Sequence, residues 1–121
     1  MKDYDFEFKE KFPFEKRKLE AGRIREKYHD RIPIIVEKYK DCKTLPDIDK
    51  KKFLVPQDLT MGQFQYVVRK RLKNVSADHG LYFFINNTIF PCSEMLSSIY
   101  SKNKDKDDFL YIVFTGENTF G

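Results

Sequence analysis

The segment Phe109-Leu110-Tyr111-Ile112-Val113-Phe114 is apolar at every position, and this constrains the fold more than any other stretch of the chain. A strand with one solvated face alternates polar and apolar residues. A strand without alternation needs cover on both faces, as central strands have. The chain must therefore build a sheet with this strand inside it. Partners for it lie upstream. Ile32-Pro33-Ile34-Ile35-Val36 is β-branched and apolar and reads as a strand. Pro33 near its start predicts an edge position or an irregular entry. Lys52-Phe53-Leu54-Val55-Pro56 reads as a second short strand, paired with the first as a hairpin across the polar loop 40–50. Leu81-Tyr82-Phe83-Phe84-Ile85 is a third, and Asn86-Asn87 is a turn signal after it.

Helical spacing fills the gaps between these strands. Met61, Phe64, Val67, Val68 and Leu72 recur on one face, the clearest amphipathic helix in the chain. Asp58 or Thr60 can cap it, and Thr60 with Gln63 matches a capping box. Ser93 is the candidate cap of a short helix carrying Met95, Leu96, Ile99 and Tyr100, and the charged stretch 102–108 reads as a loop. Upstream of residue 31, a short helix is expected over 6–11 and a longer one over 14–28, with Pro13 at its first helical position. In the longer one Ala21, Ile24 and Tyr28 fall near one face and Leu19 lies off it. So thin a stripe suits a helix lying on another layer.

After residue 31 the order is strand, strand, helix, strand, short helix, strand. This predicts an α+β fold of the ubiquitin-like β-grasp type: a four-stranded mixed sheet with a crossover helix. Residues 1–30 would form an N-terminal two-helix annex. Residues 31–121 would form the β-grasp unit with a flexible tail over 115–121, the whole being a single compact domain.

Composition narrows the function classes. A chain of 121 residues, 40% hydrophobic, fits one domain with one core. No run approaches the ~20 apolar residues that span a bilayer, and Met1-Lys2-Asp3-Tyr4-Asp5 carries no apolar signal region. Any membrane attachment is therefore expected through covalent chemistry or a partner. The net charge is +4 with signs interspersed, and the short clusters 50–52 and 69–71 read as solvated surface. The aromatics fit strands and core, not a stacking platform, so no nucleic-acid partner is expected. Cys42 and Cys92 lack metal-binding or redox spacing and read as reduced cytosolic thiols. His29 and His79 have no neighbouring nucleophile pattern. The chain is thus expected to be no enzyme and to need no metal or cofactor.

The turn-prone segment Thr115-Gly116-Glu117-Asn118-Thr119 leads into Phe120-Gly121. A glycine carboxylate can be activated as an acyl-adenylate, passed to a cysteine thiol and then to an amine. Lacking a Cβ, glycine lets its backbone enter a narrow channel and approach a nucleophile closely.

Several segments in order resemble the autophagy ubiquitin-like modifiers that become joined to phosphatidylethanolamine, nearer to the branch named for the GABA-receptor-associated protein. They are Pro13-Phe14-Glu15-Lys16-Arg17-Lys18, Asp30-Arg31-Ile32-Pro33-Ile34-Ile35-Val36-Glu37-Lys38, Asp49-Lys50-Lys51-Lys52-Phe53-Leu54-Val55-Pro56, Leu59-Thr60-Met61-Gly62-Gln63-Phe64, Arg69-Lys70-Arg71, Phe109-Leu110-Tyr111 and Gly116-Glu117-Asn118-Thr119-Phe120-Gly121. The resemblance implies that Gly121 is the acyl donor and Phe120 the side chain gripped by a processing cysteine protease, which also releases the lipidated form. It implies E1-like, E2-like and E3-like partners, and a cytoplasmic protein with a lipidated pool on autophagosomal and vacuole- or lysosome-related membranes.

It further implies docking of receptors and adaptors that carry an aromatic residue, two spacers and an aliphatic residue, often preceded by acids. The segment 52–55 is the candidate edge strand for such β-augmentation. Carried over by position, Glu20, Ile24, Pro33, Ile35, Lys52, Leu54 and Phe109 would line the aromatic pocket. Phe53, Val55, Pro56, Leu59, Phe64 and Val67 would line the aliphatic one, and Lys50, Lys52 and Arg71 would meet the acidic flank. From pattern alone Leu54, Phe64, Val67 and Phe109 are ordinary core residues, and Arg31 and Arg71 are partners for local carboxylates. The chain departs from the family in a loop over 40–45 that is one residue longer, in Phe53 where tyrosine is common, in Ile89-Phe90-Pro91-Cys92 where a double proline is usual, and in Asp108 where glycine is frequent. The change at Phe90 is expected to expose an extra aromatic. An unconjugated β-grasp adaptor and a modifier of protein lysines are the alternatives the residues leave open.

Overall fold

The computed structural model describes residues 4–76 and 78–116. Its elements run α1 (Glu7–Lys11), α2 (Phe14–Lys27), β1 (Arg31–Lys38), β2 (Lys52–Pro56), α3 (Met61–Arg71), β3 (Tyr82–Phe84), α4 (Leu96–Asn103) and β4 (Leu110–Thr115). The strands form one four-stranded sheet in the order β2-β1-β4-β3. β1 pairs antiparallel with β2 and parallel with β4, and β3 pairs antiparallel with β4. β4 is internal and buried along its whole length, as its unbroken apolar run requires. This is the expected α+β, ubiquitin-like arrangement with a helical pair in front of it.

Pro33 does not mark an edge. β1 lies between β2 and β4, and Pro33 pairs across from Leu54. Its missing N–H is tolerated because the odd-numbered residues of β1 turn their backbone groups toward β4, and the β4 ladder begins only at Ile34, opposite Leu110. The proline stands one residue ahead of the pairing it would otherwise weaken.

One face of the sheet carries Ile32, Ile34, Val36, Phe53, Val55, Leu110, Ile112 and Phe114, packed with Met61, Phe64 and Val68 of α3 and with Leu96 and Ile99 of α4. The Phe64 ring meets Phe53 edge-on at 5.7 Å and Phe83 at 6.4 Å. The N-terminus of α3 is fixed by a complete capping box. Gln63 N–H donates to Thr60 Oγ1 at 3.2 Å, and Thr60 N–H donates to Gln63 Oε1 at 2.9 Å. Ser93, in contrast, does not cap α4: Met95 holds the cap position without a side-chain bond. Pro13 likewise precedes α2 as its cap residue instead of opening it. Phe90 is partly buried against the core, and it is Ile89 that is exposed.

The opposite face carries Ile35, Phe109 and Tyr111, covered by Phe8 of α1 and Ala21 of α2, with Ile24 at the margin. Leu19 is 55% exposed, as its place off the stripe predicts. Polar contacts fasten this layer. Arg17 Nη1 donates to Asp107 Oδ2 at 2.5 Å, and the Tyr111 hydroxyl donates to the same oxygen at 2.5 Å. The second Asp107 oxygen accepts the Phe109 N–H at 2.9 Å. Burial, with Asp107 beside it, pushes the Tyr111 hydroxyl well up, so it remains a donor. α1 has no cap of its own, and Glu37 of β1 replaces it, accepting the N–H groups of Glu7 and Phe8 at 2.9 Å each. Asp108 takes a φ of 74°, the left-handed region where glycine is cheapest, and binds Lys18 at 3.0 Å and Lys104 at 3.5 Å.

Candidate docking edge and tail base

β2 forms one edge of the sheet. Which of its backbone groups are free follows from the ladder. Val36 N–H donates to Lys51 O and Gln57 N–H to Asp30 O, each at 2.8 Å. In an antiparallel pair hydrogen-bonded and non-bonded positions alternate. Phe53 and Val55 therefore face β1, while Lys52 and Leu54 turn their N–H and C=O groups outward. Pro33 and Pro56 both sit at non-bonded positions, consistent with this phase. The side chains of Lys52 and Leu54 share the annex face with their partners Ile35 and Pro33. Those of Phe53 and Val55 share the α3 face with Ile34 and Ile32.

The open edge thus runs between two apolar seams. On the annex side, Ile35 and Phe109 are fully buried, Pro33 is buried, and Ile24 and Leu54 are half-buried. Glu20 of α2 and Lys52 of β2 form an ion pair across the seam. The seven residues expected at the aromatic pocket are therefore gathered where α2 meets the sheet edge. On the other side, Phe53, Val55 and Phe64 lie within the core, Leu59 and Val67 are partly exposed at its margin, and Pro56 is exposed. Leu59 and Val67 also line a depression of about 690 Å³ that continues along α3 past Gly62, Gln63 and Tyr66 to Cys92 and Ser93. These last residues carry no pattern in the sequence that groups them with Leu59 and Val67. Tyr66 falls off the apolar stripe and is 59% exposed. The available signal was Gly62: a Cβ there would stand 3.1 Å from that of Cys92, which marks a close approach of the 91–93 segment to the helix.

The basic residues sit near the start of β2. The Lys50 ammonium lies over the Phe53 ring at 5.1 Å from its centroid. Arg71 binds Asp49 through Nε at 3.2 Å and Nη2 at 3.4 Å. Arg31 behaves differently: its Nη1 donates to the Leu54 carbonyl at 3.3 Å.

Gly121 and Phe120 lie outside the described residues, but the base of the tail does not. Thr115 belongs to β4 and is 3% exposed, so it is strand and not the start of a flexible tail. Gly116 follows, its N–H pointing at Cys42 Sγ at 3.4 Å. A Cβ on Gly116 would meet the Thr44 hydroxyl, and the Thr44 side chain would have to turn away to admit it. Burial pushes the Cys42 thiol up, but the Gly116 N–H and the Thr44 and Thr115 groups outweigh it and hold the thiol below its ordinary value. Among the described residues no cluster of three or more potential metal ligands occurs, and no helix is long and apolar enough to cross a membrane.

Comparison with known proteins follows the same lines. The family profile described as "Autophagy protein Atg8 ubiquitin like" matches residues 16–121. Autophagy-related protein 8e of Arabidopsis thaliana is 59% identical over 114 residues, covering 94% of this chain and 92% of that protein. Autophagy-related protein 8 of Kluyveromyces lactis is 54% identical over 114 residues, covering 94% and 90%. The crystal structure of Trypanosoma brucei ATG8 superposes with a TM-score of 0.88 at 44% identity, covering 98% of this chain and all of that one.

Proposed function

The chain belongs to the Atg8 family of autophagy ubiquitin-like proteins, and from that premise we propose that it is a modifier activated at Gly121 and joined to phosphatidylethanolamine on autophagic membranes. There it recruits motif-bearing receptors and adaptors through the open edge of β2. It is a substrate of E1-like, E2-like and E3-like enzymes and of a processing protease that grips Phe120, and it performs no catalysis itself. Its pools are cytoplasmic and, once lipidated, autophagosomal and vacuole- or lysosome-associated. Residues 1–30 serve as an accessory layer on the 31–121 unit, and the two act as a single domain.

The observation that carries the docking role is the outward-facing backbone of Lys52 and Leu54, off the β1 ladder and between two apolar seams. An extended peptide can add its own ladder there while alternate side chains enter the seams. Residues Glu20, Ile24, Pro33, Ile35, Lys52, Leu54 and Phe109 would receive the aromatic anchor. Phe53, Val55, Pro56, Leu59, Phe64 and Val67 would receive the aliphatic one. Lys50, Lys52 and Arg71 would steer the acidic flank, each contributing about 1 kcal/mol or less where exposed.

Conjugation rests on the family and on the chemistry of a glycine carboxylate. Reconstitution with the E1-like and E2-like proteins, ATP and phosphatidylethanolamine liposomes tests it. The unaltered chain should give a lipid adduct and Gly121→Ala should give none. Adduct persisting with Gly121→Ala, or appearing on protein lysines instead of lipid by mass spectrometry, overturns the proposal.

A further inference from the structure

β4 hands the chain to its C-terminal tail through a narrow point. Gly116 follows the strand directly, and its backbone runs between two segments. On one side stands the loop 42–45. The Gly116 N–H points at Cys42 Sγ, and the Thr44 hydroxyl and the Leu45 side chain fill the space that a Cβ on Gly116 would enter. On the other side stands Gly80, where a Cβ would come within 3.1 Å of the Gly116 carbonyl oxygen and 3.3 Å of the Tyr82 ring. Gly116 is thus bounded at its N–H, its α-carbon and its C=O.

Both walls are held by the rest of the fold and not by the tail. Tyr39 N–H donates to the Phe114 carbonyl at 2.8 Å, and Cys42 N–H donates to the Tyr39 carbonyl at 3.0 Å. Lys38 Nζ donates to the Leu45 carbonyl at 3.1 Å and pairs with Asp47 at 3.1 Å. Cys42 and Leu45 belong to the core cluster, at 5% and 4% exposure. The Thr44 hydroxyl lies 3.7 Å from Cys42 Sγ, so the thiol has polar neighbours on two sides. Gly80 follows a loop tied to α3, where Arg69 Nη1 donates to the Ser76 and His79 carbonyls at 3.1 Å each. A backbone that passes between two fixed walls has little choice of direction.

Resting on the conjugation role proposed above, we infer that the loop 42–45 and Gly80 form a collar that sets the direction in which the chain leaves the sheet, with Cys42 as the positioning residue that holds the Gly116 N–H. Gly121 stands five residues beyond Gly116 in sequence. Five residues span at most about 17 Å, so the direction set at Gly116 decides which region the terminal carboxylate can reach. An enzyme that threads this terminus into a channel captures a directed tail at lower entropic cost than an undirected one. The collar therefore acts on capture of the tail and not on the chemistry at Gly121.

The test takes the full chain as substrate of the E1-like enzyme and follows thioester formation over a range of chain concentrations. Cys42→Ala removes the acceptor of the Gly116 N–H and should raise KM roughly three- to tenfold, the net contribution of one hydrogen bond, with kcat unchanged. Cys42→Ser keeps an acceptor at that place and should recover most of the loss. Gly80→Ala works from the opposite wall. Its Cβ presses on the Gly116 carbonyl and should raise KM in the same way, and it decides the matter if Cys42→Ala folds poorly. An unchanged KM in both alanine variants, a fall in kcat at constant KM, or a serine variant no better than alanine overturns the inference. Hydrogen exchange reads the collar without any enzyme: the Gly116 amide should exchange slowly in the unaltered chain and many times faster in Cys42→Ala, and equal rates overturn the collar. Absence of any thioester with the unaltered chain overturns the conjugation role itself, a result distinct from a thioester whose KM ignores the collar.

Discussion

α3 meets its face of the sheet through Met61, Phe64 and Val68, each fully or almost fully buried among Ile34, Phe53, Phe83 and Leu110. The annex meets the other face through Phe8 and Ala21, but also through a buried Arg17–Asp107–Tyr111 cluster, the Glu37 carboxylate at the start of α1 and the Lys9–Asp105 pair at 2.6 Å. The α3 layer is held by area, which is non-directional and tolerates small shifts. The annex has too thin an apolar stripe for that and is held by directional contacts. Apolar burial ties α3 to every strand at once. Polar contacts tie α1 and α2 to a few points, so the loss of one is expected to loosen that layer locally. This difference bears on the proposed docking role, because the seam assigned to the aromatic anchor there is the line where the annex meets the β2 edge.

Phe64→Ala should weaken the α3 layer most. Phe64 bridges Phe53 of β2 and Phe83 of β3, so its loss should cost about 3–5 kcal/mol. The loss should appear as a lower urea midpoint shared by every probe, because the whole sheet depends on that layer. Asp107→Ala comes next, at about 3 kcal/mol, since it strands the buried Arg17 and removes the acceptor of Tyr111. Here the expected result is uneven. Hydrogen exchange should quicken across α1, α2 and the segment 104–109, while amides of β1 and α3 keep most of their protection. Uniform loss of protection would show that the annex and the β-grasp unit form one cooperative layer system, held alike on both faces of the sheet.

The same contrast explains what the sequence disclosed. The α3 face was legible because helical and strand periods both point at it: Met61, Phe64 and Val68 on one side, Phe53 and Val55 on the other. The capping box at Thr60 and the internal place of β4 were equally readable, being local or compositional. The annex fastening was not. Arg17 and Asp107 lie 90 residues apart, and each reads as a surface charge in its own window. Glu37, next to last in β1 and followed by Lys38, reads as a strand-end charge, and nothing in its own window points to the start of α1. Pro33 suggested an edge because pattern gives no strand phase. Once the phase is known, Pro33 is a residue whose backbone donor was never needed. The docking seams were gathered from positions that a resemblance supplied.

Acid should separate the two faces by the smallest margin. Burial pushes the Asp105 carboxyl up, but Lys9 and the Asp107 N–H outweigh it and leave it below its ordinary value. At Asp108 burial is likewise outweighed, by Lys18 and Lys104. A carboxyl depressed on folding contributes stability that is fully present above its unfolded value of about 3.9, fades as pH falls below that and vanishes below the folded value. Both carboxylates link the annex or its neighbouring loop to the chain, through Lys9 and Lys18. α3 meets the sheet through apolar side chains, and its pair Arg71–Asp49 lies at the exposed end of the helix. Between pH 6 and pH 3, exchange corrected for its intrinsic pH dependence should therefore accelerate over α1 and α2 before α3. Pairs this exposed account for about 0.5 kcal/mol or less apiece, so the shift should be a few-fold and not an unfolding. An annex that loosens in step with α3 would mean that its hold lies mainly in Phe8 and Ala21, and that the ion pairs decorate a contact which apolar burial already secures.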